Sequence, residues 1–136
     1  MKTSELIGAQ LDWAVAKSLN LKVVIGSNHV MTGPCVYDAE LVEMGVDSGS
    51  EFQPSTDWSQ GGPIIEREQL SVEPLYTANG LDCWVAYGHN LRYTDAGDYI
   101  YGSDNRQYGP TPLIAAMRCY VASKFGDEIE IPKELV

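Results

Sequence analysis

Apolar residues in the first eighteen positions recur at helical spacing. Ile7, Leu11, Ala14 and Val15 share one face, and Leu6, Ala9, Trp13 and Ala16 widen it. A stripe that wide predicts a helix over 3–18 packed on a sheet or a second helix. Thr3 or Ser4 is placed to cap it, Glu5 suits its first turn, and Asn20 is a stop signal. The period then changes. LKVVI at 21–25 is a β-rich run and predicts the first strand. Residues 26–36 are turn-rich. Residues 37–46 fit either a short helix or an edge strand, and 47–51 read as a loop.

FQPSTDWSQGGPIIER at 52–67 is crowded with turn formers before it becomes apolar, which predicts a shaped loop followed by a short element over 63–69. LSVEPLY at 70–76 alternates in part, but Pro74 argues against a central strand. Asn79-Gly80 signals a turn. DCWVAY at 82–87 is apolar on both faces and predicts an interior strand. Residues 91–93 and 99–101 are weaker strand candidates around a turn at 95–98, and 102–109 read as a loop. The clearest element is PTPLIAAMRCYVASKFG at 110–126, with Thr111 as cap, Pro112 at the first helical position, Lys124 in the last turn and Gly126 as stop. Its apolar residues run nearly all round, so it reads as the central buried helix. The run at 128–131 alternates briefly and is a candidate edge strand. The expectation is an α+β fold, a single domain over 1–136, with two main helices (about 3–18 and 111–125) on a small, mostly antiparallel sheet.

Charge narrows the function classes. The chain has 136 residues, 19 acidic and 9 basic, for a formal net charge of -10. That disfavours a direct grip on nucleic acid or an anionic membrane, both of which rely on Lys and Arg. Three widely spaced cysteines without a CxxC predict neither a disulfide framework nor a structural zinc site. No secretory leader or membrane-spanning run is legible, which predicts a cytoplasmic protein. No cofactor or metal is expected.

The familiar catalytic and phosphate-binding signatures are absent. His29 and His89 are isolated; His89, in YGHN, is the better acid–base candidate. The strongest candidate site is 55–68. Ser55, Thr56 and Asp57 are placed to accept backbone amides. Trp58 offers a flat surface, and Gly61-Gly62 permits positive φ and an anion-binding nest, with Arg67 supplying charge. The alternative is an ordered turn with Trp58 in the core and Arg67 paired to an acid. A second candidate is Tyr108, Gly109 and Thr111, at the start of the last helix, where free amides suit an anion. Arg118 in that helix needs a partner; Asp57 or Glu66 would join the two regions into one cleft. Six tyrosines between 76 and 108 suggest an interface or ordinary partial burial.

Three motifs, LDWAVAK at 11–17, PSTDWSQGGPIIERE at 54–68 and YGPTPLIAAMRCYVASKFGDE at 108–128, resemble the NinX family of lambdoid bacteriophage and prophage proteins. The likeness spans nearly the whole chain in the right order. It implies a phage accessory protein in the bacterial host cytoplasm, and carries over no catalytic residue, substrate or cofactor. Three function classes stay open. One is a non-catalytic binding protein for a small anion or nucleotide. Another is an acidic interaction module, as a homo-oligomer or a host-protein binder. The third is a small enzyme using Asp57, His89 or Glu66.

Overall fold

The N-terminal apolar stripe does not form one helix. A single 3-10 turn, Thr3–Glu5, is followed by extended backbone at Leu6 and by Gly8 at φ 59°, and only then by α1, Ala9–Ser18. The break corrects the expected helix over 3–18. Leu6 is fully buried, whereas Ile7, expected on the buried face, is exposed. Thr3 does not cap a helix either; its hydroxyl donates to the Gly126 carbonyl at 2.7 Å. Asn20, at φ 57°, ends the segment as expected.

The computed structural model describes residues 1–27, 34–44, 51–88, 91–93, 99–101 and 106–136. His29, His89, the turn at 95–98, most of the loop at 47–51 and the first half of the loop at 102–109 lie outside them. β1, Val23–Ser27, pairs antiparallel with β2, Pro34–Asp38, and the chain continues into α2, Ala39–Glu43, capped by the Asp38 carboxylate. Of the segment 37–46, residues 37–38 are therefore strand and 39–43 helix. α3, Trp58–Glu68, leads to β3, Ser71–Thr77, and β4, Gly80–Tyr87. β5, Leu91–Tyr93, pairs with β6, Tyr99–Tyr101. β7, Gln107–Gly109, leads into α4, Pro112–Phe125.

The three-stranded sheet has the order β3-β4-β7, all antiparallel. β4 is its centre, as its two apolar faces required. β3 is an edge strand, the place in a sheet that tolerates Pro74. α4 is the hub of the core. It touches α1, α3, β3, β4 and β7, and Leu113, Ala115, Ala116, Met117, Cys119 and Val121 on it are buried. Leu6, Leu11, Val15, Ile64 and Ala86 pack into the same cluster. Phe125, expected among the buried positions of α4, is exposed at its end. The tail at 128–131 meets the N-terminus instead of the sheet: Lys2 and Glu128 form an isolated antiparallel bridge, and Met1 and Ile129 exchange hydrogen bonds at 3.0 Å. The fold is α+β, with α3 as a helix the sequence pattern had concealed.

Candidate functional site

The stretch read as a shaped loop is the start of α3. Asp57 is its N-cap. One carboxylate oxygen accepts the Ser59 amide at 2.9 Å and the Ser59 hydroxyl at 2.7 Å; the other accepts Gln60 Nε2 at 3.0 Å. These bonds favour the charged form and hold the carboxyl below its usual pKa. Gln60 also accepts the Gln53 amide at 3.0 Å, tying the segment before α3 to the helix. The spacing Asp57-x-x-Gln60 is a capping-box pattern and was the signal for a helix.

The glycines then change meaning. Neither Gly61 nor Gly62 has positive φ. The Gly61 amide donates to the Asp57 carbonyl at 2.9 Å, so it faces its own helix and no nest forms. A Cβ at Gly61 would strike the Pro54 carbonyl oxygen and come within 2.6 Å of Leu113 Cδ2. Gly61 is there so that α3 can lie against the 54–55 segment and α4. Gly62 faces open space. Gly109 follows the same rule: a Cβ there would fall 2.7 Å from the Ala115 nitrogen and 3.0 Å from Ile114 Cγ2. In both places the close approach is made by the chain itself.

Packing α3 on α4 brings parts of the two candidate regions together. Ser55, Thr56 and Trp58 on one side and Thr111, Pro112 and Leu113 on the other line a cleft of about 210 Å³. Trp58 stands at the first turn of α3 and is 57% exposed, so it is not plugged into the core. Thr111 caps α4 by accepting the Ile114 amide at 3.1 Å.

The two arginines are elsewhere. Arg67 is at the far end of α3, about 13 Å from Trp58 at the rise of a helix, and pairs with Glu68 at 3.1 Å. Arg118 pairs with no carboxylate among the described residues: its Nε donates to the Leu6 carbonyl at 2.8 Å and a terminal nitrogen to the Tyr108 carbonyl at 2.7 Å. It ties the extended N-terminal segment and β7 to α4. This replaces the expected contact with Asp57 or Glu66. Tyr108 itself is exposed, and its carbonyl is taken by Arg118.

One buried polar pair had not been anticipated. Asp12 on α1 is 4% exposed, and its carboxylate accepts the Ser55 amide at 2.9 Å. Burial pushes the Asp12 carboxyl up to about 6, against the opposing pull of Ser55. The Ser55 hydroxyl, on a residue 1% exposed, meets full hydrogen-bond geometry with no partner among the described residues, and its nearness to the Asp12 carboxylate adds to that opposing pull. Asp12 lies between Leu11 and Trp13 in an otherwise apolar stripe, and that position was its signal. The pair orients the 55–57 segment and thereby the start of α3.

Chemically, the cleft is a neutral recess of hydroxyls and apolar side chains under an exposed indole. Asp57, held low and fully engaged, is poorly matched to proton abstraction at neutral pH. Cys119 is buried and its thiol is pushed up to about 11. Among the described residues no His, Cys, Asp and Glu cluster could hold a metal ion, and no helix is long and apolar enough to cross a membrane.

Compared with known proteins, residues 2–124 match the family model described as Bacteriophage P22, NinX. None of the curated proteins compared matches the chain.

Proposed function

The chain belongs to the NinX family of phage proteins, and from that premise we propose that it works as a non-catalytic binding protein. Its cleft between the starts of α3 and α4 receives a planar group on the indole of Trp58. The observation that carries this reading is the placement of Trp58: a large aromatic left more than half exposed at the rim of a recess, beside the Thr56 and Thr111 residues. Stacking on such a surface is worth about 1–3 kcal/mol per base-like ring. The recess, at about 210 Å³, is below the ~300–1,000 Å³ of a drug-sized site. It suits one ring rather than a whole nucleotide. The donors expected for a phosphate are not offered to this recess, because the Gly61 amide is used within α3 and Arg67 is at its other end.

The test is titration of indole emission with uncharged nucleosides, in the wild type and in Trp58→Phe. The expected result is a saturable change in the wild type that the variant lacks. No saturable change with any nucleoside at millimolar concentration would overturn the reading.

A second reading, an interaction module, is favoured by the far half of the β3–β4 hairpin. Leu75, Tyr76 and Leu81 are all exposed there, and Tyr76 stands opposite Leu81. If copies of the chain associate through it, Tyr76→Lys lowers the native mass measured by sedimentation. An unchanged mass removes this route to an oligomer.

A further inference from the structure

We propose that a separate cleft at the end of α1 is a site for a nucleotide-class anion, its phosphate held by Lys17 and Lys22 and its base by Trp13. Trp13, Lys17, Asn20, Leu21, Lys22 and Val23 line this cleft, whose volume is about 380 Å³. That lies within the range of small-molecule sites. Among the described residues it shares no lining residue with the cleft at Trp58.

Local structure brings the groups together. Trp13 and Lys17 are one turn apart on α1, and the Lys17 ammonium stands 5.4 Å from the centre of the indole. Asn20, at φ 57°, turns the chain so that Leu21 and Lys22 come to line the same recess as Trp13. Helix ends of this polarity repel anions through their free carbonyls. Here the carbonyls of Val15, Ala16 and Lys17 are taken by the amides of Leu19, Asn20 and Leu21.

Charge singles the cleft out further. The chain carries 9 basic residues against 19 acidic ones, yet among the described residues two lysines and no carboxylate line this recess. Asp38 stands opposite Val23 in the β1–β2 register, and its carboxylate is occupied by the amides of Glu40 and Leu41 at 2.9 and 3.2 Å. A cation at a helix C-terminus accounts for Lys17 alone; it leaves Lys22 and the recess unexplained. On binding, the Lys17 ammonium moves from the indole to the phosphate and uncovers a ring face for the base.

The test is calorimetric titration with ADP at low salt. Saturable binding is expected, weakening as salt rises. Lys17→Gln with Lys22→Gln weakens it at least tenfold, and Lys133→Gln, which removes the same kind of exposed charge, does not. Both site lysines are exposed, and equal melting temperatures confirm that the fold is kept. Adenosine and inorganic phosphate each bind more weakly than ADP. No saturable binding of ADP at millimolar concentration overturns the proposal, as does equal affinity in the double variant. Inorganic phosphate binding as tightly as ADP overturns the role of Trp13.

Discussion

At the scale of single residues, adjacent glycines with the same sequence signal do opposite things. Gly61→Ala drives a methyl into the Pro54 carbonyl and Leu113. It should cost about 1–3 kcal/mol or more, as overpacking does. Gly62→Ala meets nothing within 4 Å inside a helix, and should stabilise by about 0.5–1 kcal/mol. Urea midpoints of the two variants check both signs; equal effects would refute the packing of α3 described above. Asp12 supplies a pH test. Burial holds its carboxyl at about 6 in the fold, above the ordinary carboxylate range of about 4, so the folded chain binds the proton more readily than the unfolded one. The stability this contributes is complete below pH ~4 and is lost as pH rises through ~6, a swing on the order of 2–3 kcal/mol. Asp12→Asn keeps an acceptor for the Ser55 amide and removes the titration. The variant should therefore lose less stability than the wild type between pH 4.5 and 7.5, in paired denaturation curves. Parallel losses would show that the carboxyl is not held up by burial.

At the scale of elements, caps explain which predictions of structure succeed. α4 was legible because Thr111, Pro112 and Gly126 mark its ends and its apolar content is high. α3 was hidden because Gly-Gly-Pro reads as a breaker, although Asp57 and Gln60 mark a start. Thr111→Ala leaves the Ile114 amide without its acceptor and should cost about 1 kcal/mol, read as a shift in urea midpoint without a change in slope. The hydrophobic stripe at 3–18 failed differently: its spacing was helical throughout, but Gly8 at φ 59° breaks the chain. The segment before it is held by the hydrogen bonds of Thr3 to Gly126 and Asp127 and by Arg118 on Leu6. Those partners are more than a hundred residues away, so no local pattern reports them.

At the scale of the whole molecule, a net charge of -10 opposes compaction through self-repulsion. Raising ionic strength shortens the range of that repulsion, so the melting temperature should rise by a few degrees between 0.05 and 0.5 M sodium chloride; a fall would point to ion pairs as the dominant surface term. The sequence by itself determined the α+β class, the central strand 82–87, the buried last helix with its caps, and the family. Each follows from local periodicity, from capping chemistry, or from motifs that survive in order along the chain. Tertiary structure alone decided what surrounds the candidate residues. It turned Gly61 and Gly109 from ligand-facing positions into packing contacts and sent Arg118 to two backbone carbonyls. It separated Arg67 from Trp58, joined Asp12 to Ser55, and set Lys22 beside Trp13 and Lys17. The physical reason is common to all of these: what a glycine admits, or what a buried charge pairs with, depends on which distant segment packs against it.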